Sequence, residues 1–546
     1  MSLIKPICQS MVTRDGVRLD SDLYYPKSGG PWPALLMRQP YGRRLASTLV
    51  YGHPHWYASQ GYLVVIQDVR GRGSSQGEFD LFAHEVEDGE DCLNWVSQLS
   101  QCDGSVAMYG FSYQGMTQLY AAANHHPCLK TICPAMVAWD LYRDWGYENG
   151  AFCLQNNLGW ALQLAADSAK RRGDGNSFQQ LMGLARNYDF CDPVPAIPDR
   201  LGKLAADSFY HQWISQPPES DYWQRRSPDK RWQIRVKSDI PVLQIGGWFD
   251  PHLRGNLRLY GALERCDIKQ KMVVGPWGHF PWGSRAGGQN YGESAISAVD
   301  QLQLAWFDHF LKGQEPRFNL AKLELFDLGT KQWRYLADWP ATPQSWFLQC
   351  SGLGTTQGST LTPTAPNEKL TTGITDVWVH DPWRPVPSWG GHSGYPQGVK
   401  ERGPVDDRSD VVTYTSEPLK ERVTICGTPQ ILLTAASDRP SFDVALILSQ
   451  VSDSGEVWAL SHGYCTSLEE EATLTIFLQA ICATLSVGDR LRISLAGASF
   501  PAYGVNPGTG QEAVLANLVD QQIITLALVT NGTTQNHLQL PILLGE

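Results

Sequence analysis

The sequence predicts an α/β fold in which a largely parallel sheet is interrupted by a helical insertion and followed by an all-β region. Apolar strand-like runs alternate with helical stretches up to about residue 139 and again from about residue 240, a pattern typical of a parallel sheet covered by helices on both faces. Residues 140–239 between them lack strand signals. After about residue 344 helical periodicity disappears, and short strand-like segments recur between turn residues.

The length requires several domains, because 546 residues are too many for one hydrophobic core. We place the first part of the core at residues 1–139, a helical cap at 140–239, the second part of the core at 240–343 and a β domain at 344–546.

The acidic composition excludes several classes of partner. The formal net charge is −11 and Lys and Arg form no block, so we expect no nucleic-acid groove and no surface for anionic membranes. The N-terminal MSLIKPICQSMVTRDG lacks the apolar segment of a signal peptide, and no apolar run reaches the length of a membrane span. The twelve cysteines show neither CxxC nor zinc-type spacing. We therefore expect a soluble cytoplasmic protein with buried thiols and no bound metal or cofactor; homo-oligomerisation stays open.

The core elements are predicted in a regular order. Alternating segments between Gly16 and Gln39 indicate an antiparallel start, with VRLDSDLYYP followed by PALLMRQP. Then come a strand YLVVIQD, a helix over 85–99, a strand SVAMYGF, a helix over 113–125 and a strand LKTICPAMVAW. Beyond the insertion we predict strands PVLQIGGWFD and KMVVGPWGHF and a helix near 294–311.

The insertion and the C-terminal region have different patterns. The insertion contains helical stretches such as LQNNLGWALQLAADSAKRR and many aromatic residues, and an all-helical insertion in an α/β core is typical of a cap over an active site. The C-terminal region predicts a β sandwich or jelly roll. Its strand-like segments are DVVTYTSEPL, VTICGTPQILLTAA, FDVALILSQV, EVWALSHGY, LRISLAG and IITLALV.

A candidate nucleophile lies where a predicted strand meets a predicted helix. Residues 110–115 read GFSYQG and contain the G-x-S-x-G pattern, which by itself is weak evidence. Its context is stronger, because Ser112 directly follows SVAMYGF and precedes the helical run MTQLYAAA. A sharp strand-to-helix turn needs small neighbours, and Gly110 and Gly115 provide them. This context favours the nucleophile of an α/β-hydrolase over a helix-capping serine in a glycine-rich turn.

A serine nucleophile needs a base, and the base needs an orienting acid. In α/β-hydrolases these residues follow later strands in the order Ser, acid, His. Asp250 ends PVLQIGGWFD and His279 ends KMVVGPWGHF, so we predict Asp250 as the acid and His279 as the base. The alternative for Asp250 is a turn former or a helix cap. The rival histidines lack this strand context: His53, His55, His84, His125, His126, His252 and His309.

Two groups are candidates for the oxyanion hole. The amide of Tyr113 lies at the start of the helix after the nucleophile, where it can face a developing oxyanion. A second donor normally comes from the loop after the third strand, which here reads RQPYG over residues 38–42. Pro40 has no amide hydrogen, and Tyr41 offers a phenol instead. The residues alone leave Tyr41 open between an oxyanion donor and a packed loop aromatic.

Several longer segments resemble one family. RQPYG, QDVRGRGSSQGEF, CDGSVAMYGFSYQG, GGWFD and GPWGH occur in this order, and they resemble the cocaine esterase and X-Pro dipeptidyl-peptidase family of serine hydrolases. DRSDVVTYTSEPL, FDVALILSQV and GASFPAYGVNPGTG resemble its C-terminal jelly-roll domain. The resemblance runs from about residue 5 to the end. It implies an α/β-hydrolase core with an inserted helical cap domain and a C-terminal β jelly-roll domain.

The resemblance also implies roles for single residues. Ser112 matches the family nucleophile in GxSYxG, Asp250 the acid of GWxD and His279 the base of GPWxH. Tyr41 matches the RxPY tyrosine, whose hydroxyl shares the oxyanion hole with the amide after the nucleophile. The segment Asp68–Arg70 matches a DxRG loop that we expect to be structural.

We expect the cap to supply an apolar acyl pocket. Trp160 matches a cap tryptophan that flanks the acyl pocket in cocaine esterase. Trp145, Tyr147 and Phe152 lie in the same insertion, and each is open between a pocket wall and a core position. His252 lies two positions after the predicted acid, where cocaine esterase carries an aromatic ring, and so changes one pocket wall.

Departures from the family leave the substrate class open. X-Pro dipeptidyl peptidases are usually longer at the N-terminus, and amino-ester hydrolases that act on β-lactams carry acidic residues where this chain has His252 and Leu253. Asp144 or Glu148 offers a substrate ammonium one carboxylate, but not a cluster. We predict a serine hydrolase that forms an acyl-enzyme with a small ester, an amide or a short peptide. X-Pro dipeptidyl aminopeptidase, β-lactam or amino-ester acylase and acyltransferase are alternatives, as is a carbohydrate-binding protein with an inactive core.

Overall fold

The structure is a computed structural model that describes residues 5–27, 29–186, 199–232, 240–340, 342–365, 374–530 and 535–544. We refer to the described residues of 5–139 and 240–340 as the core, to those of 140–232 as the cap and to those of 342–544 as the β domain. Among the helices in these ranges, none combines the length and the apolar composition that a membrane crossing requires.

The first part of the core supplies six strands and three α-helices. They are β1 (Ile7–Val12), β2 (Arg18–Tyr24), β3 (Trp32–Gln39), α1 (Pro54–Ser59), β4 (Leu63–Asp68), α2 (Glu85–Ser97), β5 (Cys102–Phe111), α3 (Tyr113–Ala122) and β6 (Leu129–Ala135). The chain does begin with antiparallel strands, since β2 is antiparallel to β1 and β4. The prediction was wrong for PALLMRQP, because β3 is parallel to its neighbours β4 and β5. Because β3 lies inside the sheet, it is buried on both faces.

The cap is helical except for one hairpin, which corrects the expectation of an all-helical insertion. The hairpin turns at Asn149 and Gly150, whose φ angles of 44° and 88° are those that a tight two-residue turn requires. Parts of the predicted cap, residues 187–198 and 233–239 with the boundary at 239, lie outside the described residues. The cap elements are a π-helical turn (Tyr142–Gly146), β7 (Tyr147–Glu148), β8 (Ala151–Phe152), α4 (Leu154–Arg171), α5 (Gly175–Arg186), α6 (Asp199–Leu204), α7 (Phe209–Ser215), α8 (Asp221–Arg226) and α9 (Pro228–Arg231).

The second part of the core completes the central sheet. It contains β9 (Val242–Gly247), α10 (Leu253–Arg265), β10 (Gln270–Gly275), β11 (Arg285–Ala286), β12 (Gln289–Asn290), α11 (Val299–Lys312), β13 (Leu323–Asp327) and β14 (Gln332–Leu336). Ten strands are ordered β1-β2-β4-β3-β5-β6-β9-β10-β13-β14, and those from β4 to β13 are parallel. Helices α2, α3 and α10 pack on one face, and α1 and α11 on the other. The carboxyl ends of the parallel strands therefore meet at one edge, the usual place for a site.

The regular elements of the β domain are almost all strands. The predicted boundary between residues 343 and 344 cuts its first strand, because Thr342 and Pro343 already pair with the last strand of the chain. The predicted fold class, an α/β-hydrolase core with a helical cap and a C-terminal strand-rich domain, is confirmed. The strands are β15 (Thr342–Gln349), β16 (Ser359–Thr362), β17 (Val377–His380), β18 (Val411–Ser416), β19 (Val423–Gly427), β20 (Gln430–Ser437), β21 (Phe442–Val451), β22 (Val457–Ser467), β23 (Glu471–Phe477), β24 (Ile481–Leu485), β25 (Arg490–Ala496), β26 (Ile524–Leu528) and β27 (His537–Ile542).

A buried charge cluster joins the three parts of the chain. Glu148 of the cap hairpin accepts hydrogen bonds from Arg254 of α10 at 2.6 Å and from His392 and Tyr503 of the β domain at 2.9 and 2.7 Å. Burial alone would raise the pKa of Glu148, but the charges of Arg254 and His392 and the hydrogen bonds lower it to about 2. The group is therefore a carboxylate, and we call it with its three partners the Glu148 cluster.

Glu148→Gln is expected to lower the free energy of unfolding by about 3–5 kcal/mol, because it leaves the Arg254 guanidinium without its counter-charge. The folded pKa of about 2 lies below the ordinary value of 4.5. The contribution of the carboxylate is therefore present above pH 4.5 and is lost as pH falls towards 2. Thermal midpoints of wild type and variant should differ at neutral pH and converge in acid.

Asp221→Asn is the matched control. Asp221 is 89% exposed and pairs with Arg225 at 3.6 Å on the cap surface, and such pairs contribute about 0–1 kcal/mol. A Glu148→Gln protein whose midpoint stays as close to wild type as this control would contradict the role of the cluster.

Candidate active site

Ser112 lies in a strained turn between β5 and α3. Its φ of 59° and ψ of −127° are costly for a non-glycine residue and are characteristic of a nucleophile at a strand-to-helix turn. A β-carbon at Gly110 would lie 2.5 Å from that of Gln114, and one at Gly115 would lie 2.7 Å from the carbonyl oxygen of Ala135. Both glycines are therefore required by the close packing of this turn.

Tyr113 is the first residue of α3, so its amide has no partner within the helix. Its hydroxyl donates to Glu85 at 2.7 Å, and Glu85 pairs with the buried Arg38 at 2.6 Å. Phe82 stacks on the Tyr113 ring at 4.6 Å. These contacts fix the residue whose amide is the predicted oxyanion donor.

Asp250 and His279 are brought together from the ends of β9 and β10. His279 Nδ1 lies 2.6 Å from Asp250 Oδ2, and Asp250 Oδ1 accepts from the amide of His252 at 2.8 Å. Burial disfavours the Asp250 carboxylate, but the charge and hydrogen bond of His279, with a smaller effect of His252, hold its pKa below the ordinary value. Asp250 is fully buried, whereas the His279 side chain is 20% exposed. The imidazole is thus the accessible member of the pair.

The loops that carry this pair are bonded to each other. The amides of Trp248 and Phe249 donate to the carbonyls of Gly275 and Trp277 at 2.9 and 3.0 Å. A β-carbon at Gly247 would lie 2.3 Å from the Trp277 carbonyl oxygen, so the sequence GGWFD needs its second glycine for this approach. The predicted acid and the predicted base therefore share one backbone network.

The rival histidines have other surroundings. His53, which caps α1, and His55 within α1 stack on each other with ring centroids 5.1 Å apart. His126 contacts the side chain of Asn94 at 2.8 Å, and His309 lies on α11. Their positions give no reason to prefer them to His279 as the base.

Tyr41 lies in the loop after β3. The Trp160 indole N–H donates to its hydroxyl at 3.2 Å, and a further hydrogen bond joins it to Ser112. Burial raises the pKa of Tyr41 to about 12 in spite of these two hydrogen bonds, which lower it. The phenol is therefore protonated at neutral pH and able to donate a hydrogen bond. Its hydrogen bond with Ser112 puts the phenol beside the predicted nucleophile.

A series of rings connects Tyr41 to His279. Trp160, bonded to Tyr41, lies 5.0 Å from Trp145, and Trp145 lies 4.1 Å from His252. The His252 ring is 5.3 Å from that of His279. Burial lowers the pKa of His252 to about 3, so its ring is neutral. We call Trp145, Trp160 and His252 the ring wall; it is uncharged and largely apolar.

Phe82 is a neighbour of the ring wall that sequence reasoning missed. Its ring centroid lies 5.8 Å from that of Trp145 and 6.4 Å from that of Trp160. It comes from the loop between β4 and α2, which has no regular periodicity. No sequence signal marks it.

Tyr147 and Phe152, the other two predicted pocket residues, pair across the cap hairpin with ring centroids 5.2 Å apart. Tyr147 stacks on Tyr142 at 4.3 Å and donates to the carbonyl of Trp213 at 3.1 Å. Phe152 contacts Tyr210 at 5.6 Å. These contacts place both rings in the packed interior of the cap, the core alternative left open by the sequence.

Asp144 and Glu148, the candidates for binding a substrate ammonium, both have protein partners. Asp144 accepts from the amides of Trp139 and Asp140 at 3.0 and 2.7 Å and pairs with Arg258 at 2.9 Å. Burial is the largest effect on Asp144 and raises its pKa to about 6. Glu148 belongs to the Glu148 cluster, so both carboxylates are paired with an arginine of α10.

The segment Asp68–Arg70 makes the structural contacts expected of it. Asp68 accepts from the amide and the guanidinium of Arg43, and Arg70 pairs with Asp15 and Asp88 at 2.7 and 2.6 Å. Across the described ranges, no group of three or more His, Cys, Asp or Glu side chains is arranged to hold a metal ion.

Solved structures of two other enzymes share the fold along almost the whole chain. An aminopeptidase from the marine sediment archaeon Thaumarchaeota archaeon has a TM-score of 0.81 and 21% identity, covering 100% of this chain and 97% of its own. An α-amino acid ester hydrolase has a TM-score of 0.77 and 22% identity, covering 99% and 97%. At these identities the likeness shows the fold alone.

Comparison of sequences identifies the family. The model of X-Pro dipeptidyl-peptidase (S15 family) matches residues 15–281, and that of the X-Pro dipeptidyl-peptidase C-terminal non-catalytic domain matches 317–539. Cocaine esterase from Rhodococcus sp. (strain MB1 Bresler) is 30% identical over 562 residues, which cover 97% of each protein. The chain therefore belongs to the X-Pro dipeptidyl-peptidase (S15) family and is a serine hydrolase.

Proposed function

We propose that the protein hydrolyses carboxylic esters through an acyl-enzyme formed on Ser112. The observation that carries the proposal is the contact of His279 Nδ1 with Asp250 Oδ2 at 2.6 Å, on the same sheet edge as a serine in a strained turn. Asp250 orients the imidazole and stabilises its cation, which leaves Nε2 to act on Ser112. Tyr41 and the amide of Tyr113 bind the oxyanion.

The reaction follows the acyl-transfer sequence of a serine hydrolase. Nε2 of His279 removes the hydroxyl proton as Ser112 Oγ attacks the ester carbonyl carbon. The tetrahedral intermediate collapses, its bond to the alkoxide breaks, and the alkoxide takes the proton from His279 and leaves as an alcohol. Water, deprotonated by His279, then attacks the acyl group; the carboxylic acid departs and Ser112 regains its proton.

The ring wall supports an uncharged acyl group. Trp145 and Trp160 offer apolar surface, and the low pKa of His252, about 3, keeps that ring neutral. Burying a charged acyl group against such a surface would be costly, whereas an aromatic or branched aliphatic group gains contact. The relationship to a cocaine esterase is in keeping with an ester substrate.

Peptide and amino-ester substrates are less well supported. Recognition of a substrate ammonium calls for a carboxylate, and Asp144 and Glu148 are paired with Arg258 and Arg254. An aminopeptidase and an α-amino acid ester hydrolase share the fold, but a shared fold does not carry the substrate with it. The contacts of these two carboxylates therefore favour a simple ester.

Ser112→Ala is expected to abolish hydrolysis of p-nitrophenyl esters, since loss of such a nucleophile costs about a millionfold in kcat. The thermal midpoint should stay close to wild type, because only one oxygen is removed. Ser105→Ala on the same strand β5 is the control and should keep activity. Labelling by a fluorophosphonate probe, read by intact mass, provides a second measurement. Retention of more than a few per cent of activity by Ser112→Ala would reject the assignment.

Tyr41→Phe is expected to lower kcat by about 100- to 1,000-fold and to leave KM nearly unchanged, because the phenol acts on the oxyanion rather than on the bound ester. Tyr335→Phe on β14, where the side chain is 49% exposed, is the control for loss of a phenol. Steady-state kinetics with one p-nitrophenyl ester gives kcat and KM for both variants and for wild type. An effect on KM alone would argue against the oxyanion role.

Trp145→Leu is expected to change the ratio of kcat/KM for p-nitrophenyl benzoate to that for the acetate by about tenfold, because pocket contacts of this kind are worth about 1–3 kcal/mol. Phe152→Leu, which alters the cap interior, should keep the ratio and lower the thermal midpoint instead. Equal changes of the ratio in both variants would show that the ring wall does not select the acyl group.

A further inference from the structure

Two glutamines of the β domain contact the main chain of the predicted acid and base. The amide of His279 donates to Gln397 Oε1 at 2.7 Å. Gln479 Nε2 donates to the carbonyl oxygen of Asp250 at 2.6 Å and to that of Trp248 at 3.4 Å. The Gln397 side chain therefore accepts from the loop that carries His279, which we call the base loop. The Gln479 side chain donates to the loop that carries Trp248 and Asp250, which we call the acid loop.

Gln397 is held by its own loop. Its Nε2 donates to the carbonyl of His392 at 3.0 Å, and reciprocal amide–carbonyl bonds of 2.8 and 2.9 Å between Gly391 and Gly398 close the loop. The base loop is shaped to receive it, since a β-carbon at Gly278 would lie 2.6 Å from Gln397 Oε1. The glycine before the base is thus needed for this contact.

Gln479 is buried between β23 and β24. Its main-chain N–H donates to the carbonyl of His462 at 2.8 Å, and its main-chain carbonyl accepts from the Ser461 hydroxyl at 2.5 Å. A buried amide side chain is costly unless it is hydrogen-bonded. Here its nitrogen bonds to two carbonyl oxygens of the acid loop.

We propose that Gln397 and Gln479 are positioning residues that hold the base and the acid at the separation catalysis requires. The inference rests on the proposed roles of Asp250 and His279. A misplacement of about 1 Å can cost about 100-fold in rate, and each glutamine bonds directly to the backbone of one of these residues. A domain whose family model is described as non-catalytic thus sets the geometry of the site without touching the substrate.

Gln397 accepts a hydrogen bond from the base loop, whereas Gln479 donates to the acid loop. Substitution by Glu should therefore have different effects at the two positions, which a merely structural role would not predict. Gln397→Glu keeps an acceptor for the His279 amide and adds a negative charge near the imidazole. Gln479→Glu replaces a donor by a carboxylate that faces two carbonyl oxygens. Gln397→Glu also loses the donor to the His392 carbonyl. The same change of charge should therefore be less damaging at Gln397, where the contact with the His279 amide is kept, than at Gln479, where both contacts with the carbonyls of Trp248 and Asp250 are lost.

Steady-state hydrolysis of p-nitrophenyl acetate by the full chain measures the effect. Gln397→Met and Gln479→Met are each expected to lower kcat about 10- to 100-fold with KM changed less than about threefold, and Gln479→Glu should match Gln479→Met. Gln397→Glu should keep kcat within about fivefold of wild type. Its kcat/KM–pH profile should have its acidic limb at higher pH, because the added carboxylate stabilises the imidazolium.

Gln450→Met is the matched control, since Gln450 Nε2 bonds Asp489 at 2.7 Å within the β domain. Met variants that behave like this control would overturn the proposal, as would equal losses in the two Glu variants or changes confined to KM and the thermal midpoint. Ser112→Ala in the same assay keeps the two hypotheses apart. Activity retained there rejects the proposed function, whereas its loss beside unaffected glutamine variants rejects only the positioning role.

Discussion

The carboxylate of Glu148 sets the condition under which the cap, the core and the β domain can pack together. It is buried, and its partners Arg254, His392 and Tyr503 come from the other two parts of the chain. A charge leaves water at a high cost unless it is paired and hydrogen-bonded. The cap hairpin is therefore stable in its place only when the core and the β domain supply these groups, which makes the three parts interdependent.

The pairing of Glu148 also affects the candidate active site, because the Glu148 cluster and the site are carried by the same segments of the chain. Glu148 lies three residues after Trp145 of the ring wall, and Arg254 lies four residues after Asp250. Burial also keeps the neighbouring titratable groups in one state: His252 is neutral with a pKa of about 3, and Tyr41 is protonated with a pKa of about 12. In the proposed mechanism, proton transfer is thereby left to His279 rather than shared with these neighbours.

Local sequence was sufficient to place Ser112, Asp250 and His279 at one sheet edge, because each follows a buried strand and a glycine turn that a few consecutive residues reveal. Sequence could not assign Gln397 and Gln479, since their contacts depend on how a separate β domain packs on the core, which no periodicity records.

The rings of the cap could not be assigned from sequence either. Trp145 and Tyr147 are two residues apart in sequence, yet Trp145 contacts His252 whereas Tyr147 stacks on Tyr142 within the cap, and no local pattern distinguishes them. The position of β3 inside the sheet was missed because alternation and a buried run overlap in so short a strand.

The charges that hold the cap in place also restrict what the site can recognise. Glu148 and Asp144 lie in the segment that carries Trp145, but each is paired with an arginine of α10. A substrate ammonium that took Glu148 would leave the Arg254 guanidinium without its counter-charge, at a cost of about 3–5 kcal/mol for a buried pair. The cost at Asp144 is smaller, because its partner Arg258 is 45% exposed to water. An uncharged acyl group meets no such penalty and gains contact with the ring wall. The proposed preference for simple esters is thus consistent with the packing of the cap, in which Glu148 and Asp144 already have arginine partners.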